Sequence, residues 1–157
     1  AAQLARPGKQ IFVMLGDGGM GVGGMDIETA VRHKLPIVFM VYNNSSWMGI
    51  GARQYLFDDN MPSWDITPDI RYDEMFEAVG CHGEHVVDPE EIRPAMERAF
   101  NSGKTSVINV VTDDQIVHPM MMSPMMGQFM LWRSWDDMNE NARRLAEPVF
   151  RMLGLIQ

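Results

Sequence analysis

Two short apolar runs joined by a helical pattern constrain the fold of this chain more than anything else in it. Residues 10–15 (QIFVML) stop at a glycine, and residues 36–42 (PIVFMVY) stop at a pair of asparagines. Neither run alternates apolar with polar residues, which is the pattern of strands buried on both faces and hence of a parallel sheet. Between them, residues 25–35 carry Ile27, Ala30, Val31 and Leu35 at helical spacing. Asp26 and Glu28 come early and Arg32, His33 and Lys34 late, as the helix dipole favours. Parallel neighbours need a crossover of this kind, so residues 10–42 read as one βαβ unit.

Further along, a loop rich in Gly, Asp and Pro is expected over 43–68, and an amphipathic helix over 70–79 closed by Gly80. Asp88, Pro89 and Glu91 supply an N-cap, a first-turn proline and a capping-box acid, opening a helix to about residue 101 that Gly103 stops. Pro94 falls inside that helix and costs it one hydrogen bond. Residues 105–112 are apolar and β-branched, a further strand. The alternation predicts an α/β fold, an open parallel sheet flanked by helices, with ligands beyond the carboxyl ends of the strands.

After Asp114 the character changes. Met120, Met121, Met122, Met125, Met126 and Met130 crowd one stretch with Pro119 and Pro124, and a polar helix is expected over about 135–153. The chain is therefore divided into residues 1–114 and a Met-rich segment with a final helix, 115–157. The thioethers read as adaptable packing against a ligand or partner, since only His118 is near to support copper ligation. The prolines and Gly127 suit a lid over 118–130 that closes on an occupied site, with methionines filling a static core groove as the alternative.

With 157 residues the chain has the size of one domain. Thirteen Lys and Arg against 21 Asp and Glu give a net charge of -8, which disfavours nucleic acid and anionic membranes as partners. Any phosphate bound here is expected to come with a cation. Cys81, the single cysteine, has no partner for an internal disulfide, and no apolar run is long enough to cross a bilayer. A cytoplasmic protein is expected. The chain opens without Met on residues that read like the middle of something, so a fragment is expected as well.

The first strand ends in Gly16, Asp17, Gly18, Gly19, Met20 and Gly21, which satisfies the dinucleotide fingerprint G-x-G-x-x-G, a weak pattern alone. In that fingerprint backbone amides hold a pyrophosphate and an acid ending the second strand holds a ribose. Here the acid, Asp17, is inside the phosphate loop, where its charge repels pyrophosphate, and the second strand ends in Asn43 and Asn44. Both oddities disappear if a divalent cation lies between loop and phosphate. A carboxylate and a carboxamide oxygen are suitable ligands for Mg²⁺.

Gly16, Asp17 and Gly18, then twenty-four residues (19–42), then Asn43 and Asn44, resemble the GDG to NN signature of thiamine diphosphate-dependent enzymes, in their diphosphate-binding domain. The resemblance implies that Asp17, Asn44 and the main-chain carbonyl of Ser46 hold Mg²⁺. It implies that backbone groups of Gly16, Gly18, Gly19, Met20, Trp47 and Met48 contact the diphosphate of thiamine diphosphate. Residues 24–29 (GMDIET), Arg32, Leu35 and Pro36 are similar to the branch containing 2-hydroxyacyl-CoA lyase and oxalyl-CoA decarboxylase, with acetolactate synthase a near neighbour. The activity implied is the breaking or forming of a carbon-carbon bond, 2-hydroxyacyl-CoA cleavage first and decarboxylation or acetolactate-type synthesis second. A non-catalytic subunit is the rival. The resemblance also implies that the first strand of the domain is missing and that a pyrimidine-binding half lies on a companion chain or missing domains. That half carries the activating glutamate, so no catalytic residue is assigned here, and the complete protein is a homodimer or homotetramer.

Other candidates have plainer readings. Glu28 reads as an exposed first-turn helix acid rather than a second acid near the metal. Cys81, His82 and His85 have no second ligand pair at zinc spacing. Trp47, Tyr55, Phe57 and Trp64 either line a channel or anchor the long loop.

Overall fold

The structure, a computed structural model, describes residues 1–47, 50–58, 65–116, 131 and 133–157, with the backbone alone at 50–53. In chain order the elements are α1 (Ala2–Ala5), β1 (Ile11–Gly16), α2 (Asp17–Gly23), a 3-10 turn (Gly24–Asp26), α3 (Ile27–Arg32), β2 (Ile37–Asn43), α4 (Ile50–Phe57) and α5 (Tyr72–Glu77). They continue as β3 (His82–Val86), a 3-10 turn (Pro89–Glu91), α6 (Ile92–Asn101), β4 (Ser106–Val111), a 3-10 turn (Trp135–Asp137) and α7 (Glu140–Met152). They form two compact units, residues 1–45 with 66–112 and residues 46–65 with 113–157. No described helix is long and apolar enough to cross a membrane.

The first unit is a four-stranded sheet in the order β1-β2-β4-β3 with every pairing parallel. Alternation along each strand divides its core in two. On one face Val41 and Val107 pack with Met20, Ile27, Tyr72 and Phe76 from α2, α3 and α5. On the other, Val38, Met40, Ile108 and Val110 pack with Ala95 and Ala99 of α6. Val38, Val41, Val107 and Ile108 are at most 1% exposed, each contributing roughly 1.5–3 kcal/mol relative to exposure.

The helix from Asp88 onward forms as expected. The Asp88 carboxylate accepts the Glu90 N–H at 3.0 Å, and Gly103 closes the helix at φ +65°. Pro94 costs nothing, because it lies in the first turn of α6, where its amide has no intrahelical acceptor. Two further expectations are corrected, those for β1 and for the loop over 43–68, and β3 is a strand that sequence reasoning missed. β1 is half-exposed rather than buried on both faces, with Met14 at 59%, because it is an edge of the sheet. The polar stretch HGEHV forms β3, the other edge, where Arg98 and His82 flank Glu84 and charge blunts an open strand. The loop expected over 43–68 contains α4.

In the second unit, Leu56 and Phe57 of α4 pack with Met138, Ala142, Leu145, Ala146 and Phe150. α7 is amphipathic rather than simply polar, and the Trp135 ring packs tilted against Phe150, with centroids 5.4 Å apart. Asn139 caps α7 by accepting the Ala142 N–H at 2.8 Å. Met48, Trp64 and the stretch expected as a lid lie outside the described residues.

Candidate functional site

β1 and β2 end side by side. Gly16 is the ladder partner of Tyr42, so Asp17 and Asn43 are the next residues out on strands about 4.8 Å apart. Asp17 is the first residue of α2, and its side chain is folded inward, only 3% exposed, with Oδ1 accepting the Gly18 N–H at 2.9 Å. Helix begins at once after the strand, so the glycines read as a loop are the first turn of α2. Gly18 and Met20 are buried and Gly19 is exposed. The charge of Asp17 reaches Tyr72, whose phenol is pushed up first by burial and then by that carboxylate. Negative charge held inside the protein at the end of a strand is favourable ground for a cation.

The turn after β2 is tied on both sides of Asn44. The Asn43 carbonyl accepts the Thr112 N–H at 2.9 Å. Its side-chain Nδ2 donates to the Ile70 carbonyl at 2.9 Å and to Asn109 Oδ1 at 3.2 Å, while its Oδ1 accepts the Ser45 N–H at 3.3 Å. Ser45 adopts φ +55°, and its carbonyl accepts the Ile66 N–H at 3.0 Å. Asn44, half-buried, lies between these two anchored residues. Ser46 and Trp47 belong to the second unit. There Ser46 is buried, makes an antiparallel bridge to Asp65, and donates its hydroxyl to the Trp47 carbonyl at 3.3 Å, and Trp47 is exposed.

Behind the turn lies a polar network that sequence reasoning missed. Asn109, fully buried in the middle of β4, donates to the Ile70 carbonyl at 3.1 Å and to Asp73 Oδ1 at 3.3 Å, and lies 3.4 Å from His85 Nδ1. Asp73 of α5 takes a two-pronged hydrogen bond from Arg71, at 3.0 and 2.6 Å. Burial alone would raise the Asp73 carboxyl, but hydrogen bonds from Arg71 and then Asn109 outweigh it and hold the group below the usual carboxylate range. Asn43, Ser45, Arg71, His85, Val87 and Val111 line a cleft of about 250 Å³ at this edge of the sheet. The available signal was Asn109 itself, an amide inside the apolar run SVINVV, since a polar residue at a core position is the informative exception.

The remaining candidates separate. Glu28 pairs with Arg32 at 3.2 Å on an exposed helix face. Cys81 is in the core, where burial pushes its thiol up to about 11. His82 Nε2 contacts Glu84 at 2.8 Å, whereas His85 faces Asn109. Phe57 is buried in the core of the second unit and Tyr55 packs against it, both from α4 rather than from a loop.

Asp17 carboxylate, Asn44 carboxamide and Ser46 carbonyl are all hard oxygen donors, the donor chemistry that suits Mg²⁺. Residues 1–110 match the family model described as thiamine pyrophosphate enzyme, C-terminal TPP binding domain. The chain is 42% identical over 120 residues to acetolactate synthase large subunit IlvG of Mycobacterium tuberculosis, covering 76% of this chain and 22% of that protein. It is 35% identical over 119 residues to the 2-hydroxyacyl-CoA lyase of Oryza sativa, covering 72% and 20%. Among solved structures it resembles the thiamine diphosphate-dependent 4-hydroxybenzoylformate decarboxylase of Rhodococcus jostii, with TM-score 0.64 and 26% identity over 73% of this chain and 22% of that one. The chain thus spans about a fifth of the length of the curated relatives it matches. A parallel sheet with an inward-turned aspartate ending one strand and an asparagine pair ending the next, matched over 1–110, places this chain among the thiamine pyrophosphate enzymes, in their C-terminal TPP-binding domain.

Proposed function

We propose that residues 1–114 form the diphosphate- and Mg²⁺-binding portion of an enzyme that makes or breaks a carbon-carbon bond next to a carbonyl. The observation that carries this reading is the buried Asp17 at the end of β1, set beside the Asn43 and Asn44 turn by the pairing of Gly16 with Tyr42. Asp17, Asn44 and the Ser46 carbonyl hold Mg²⁺. Backbone groups of Gly16, Gly18, Gly19, Met20, Trp47 and Met48 hold the diphosphate oxygens. Thiamine diphosphate, when bound, supplies the nucleophilic carbon and the electron sink of the reaction. The residues of this chain would orient it, neutralising the diphosphate through the cation. The glutamate that activates the cofactor comes from a pyrimidine-binding half on a companion chain or another domain, in a homodimeric or homotetrameric cytoplasmic enzyme. The stretch 118–130 is proposed as a lid over the occupied site.

Two reactions fit. Cleavage of a 2-hydroxyacyl-CoA, or its reverse, rests on residues 24–36 and on the likeness to the rice lyase. Acetolactate-type condensation of 2-oxo acids is favoured by the higher identity, 42% against 35%. Supplying the full-length protein with pyruvate and, separately, with a 2-hydroxyacyl-CoA distinguishes them by product. Turnover of neither, and no decarboxylation of 2-oxo acids or oxalyl-CoA, with cofactor bound, would favour a non-catalytic subunit. The binding claim is tested by calorimetry: Asp17→Ala and Asn44→Ala should each weaken Mg²⁺-dependent thiamine diphosphate binding severely, and wild-type affinity in both would overturn it.

A further inference from the structure

We propose that Asn109 is a positioning residue for the metal-binding turn, holding Asn44 in place from the middle of β4 through Asn43. The inference rests on the reading of Asn44 as a Mg²⁺ ligand and extends it to a residue that never touches the ion.

Both chain neighbours of Asn44 are tied, and those ties constrain where Asn44 can lie. Ser45 is tied by its N–H to the Asn43 carboxamide oxygen at 3.3 Å and by its carbonyl to Ile66 at 3.0 Å. Asn43 is tied by its side chain, since the oxygen that accepts from Ser45 belongs to the same rigid amide that donates to Ile70 and Asn109. A planar amide held at its nitrogen end has its oxygen end fixed too. The orientation of the Asn43 amide therefore decides where the Ser45 N–H, and with it Asn44, can lie.

Asn109 decides that orientation. Its side chain is fully buried on the α5 face of the sheet, beside Val107 and away from the face that α6 covers. Its Oδ1 accepts from Asn43, and its Nδ2 donates to Ile70 and Asp73. Asp73 in turn is locked by Arg71, whose guanidinium also reaches Glu74 at 3.0 Å. Because the amide of Asn109 must present nitrogen to Asp73 and the Ile70 carbonyl, it must present oxygen to Asn43. Flipping it would set an N–H₂ against the Asn43 N–H₂ and an oxygen against a carboxylate, leaving buried polar groups mismatched. The charge of Asp73 thus selects one orientation of Asn109, Asn109 selects one orientation of Asn43, and Asn43 fixes the turn. In metal sites such supporting hydrogen bonds orient the ligands and set affinity.

The test is the Mg²⁺ requirement for thiamine diphosphate binding, measured calorimetrically on the full-length protein. Asn109→Leu keeps the branched shape and removes every hydrogen bond of the amide. It should raise the Mg²⁺ concentration giving half-maximal cofactor binding by about tenfold or more, with binding recovered at excess Mg²⁺. Val107→Ala, on the same strand and the same face, should lower the thermal midpoint of the cofactor-free protein while leaving the Mg²⁺ requirement unchanged. Positioning predicts that split, and a merely structural Asn109 predicts that both variants behave alike. If Asn109→Leu does not fold, Asp73→Asn carries the test. It keeps the shape but removes the charge that selects the orientation of Asn109, and it should raise the Mg²⁺ requirement in the same direction. An unchanged requirement in the folded variant overturns the positioning role. Wild-type behaviour in Asp17→Ala would instead remove the metal reading itself, so the two failures are distinguishable.

Discussion

Gly16 and Tyr42 face each other as the last ladder partners of β1 and β2, and a Cβ on Gly16 would meet nothing nearer than the Tyr42 carbonyl oxygen at 4.0 Å. Gly16 adopts φ -83° and ψ 165°, extended backbone open to any residue. The fold therefore does not require glycine here, and a ligand approaching the strand end is what an added methyl would obstruct. Gly16→Ala should leave the thermal midpoint of the cofactor-free protein essentially unchanged while weakening thiamine diphosphate binding. A variant that binds cofactor as wild type would contradict the placement of diphosphate at this edge.

Gly80 is the opposite case. Its φ of +104° suits no residue with a side chain, and a Cβ there would lie 3.3 Å from Val31 Cγ1. Gly80→Ala should destabilise the protein by about 1 kcal/mol or more, through backbone strain after α5. Thermal or denaturant unfolding measures it, and a stabilised variant would show that the turn differs.

On the edge strand, Glu84 accepts two hydrogen bonds from Arg98, at 2.9 and 2.8 Å. The Arg98 hydrogen bond is the largest influence on the Glu84 carboxyl and outweighs burial, holding it below the usual range, with His82 adding to the effect. A carboxylate depressed in the folded state contributes stability that is fully present above its unfolded pKa, about 4.3, and is lost as pH falls through the folded value. Glu84→Gln should therefore lower stability at neutral pH and flatten the loss of stability below about pH 4. Unfolding curves of equal acid sensitivity in both proteins would exclude this pair as a contributor.

Asn139 caps α7 and also donates to Asp58 Oδ1 at 2.9 Å. Asn139→Ala should cost about 1–2 kcal/mol. Asn139→Asp keeps the capping oxygen but turns a donor into a second carboxylate facing Asp58, so it too should destabilise at neutral pH. An Asp variant as stable as wild type at neutral pH would show that capping alone matters.

The fold was legible where one physical signal dominated. Apolar runs marked β1, β2 and β4, and Asp88, Pro89 and Gly103 marked the ends of the next helical stretch. β3 was not legible because His82, Glu84 and His85 carry no apolar period. It is a strand by virtue of its register with β4 and the clamp from Arg98, both tertiary facts. α4 was hidden because glycine and polar residues weaken its pattern, and it gains stability by packing Leu56 and Phe57 against α7. At the site, Asp17 announced itself by an acid standing where a phosphate loop wants none. Asp73 and Arg71 did not, since each is an ordinary surface residue until Asn109 is known to lie beneath them.

The central claim is that the Asp17 carboxylate meets a cation that bridges it to diphosphate. Titrating Mg²⁺ calorimetrically into the full-length protein with saturating thiamine diphosphate, in wild type and in Asp17→Asn, tests it most directly. The substitution keeps the shape and removes the charge. The account predicts Mg²⁺ affinity lowered by about tenfold or more in Asp17→Asn, partly restored in cofactor binding by excess Mg²⁺. Equal Mg²⁺ affinities in the two proteins would contradict it.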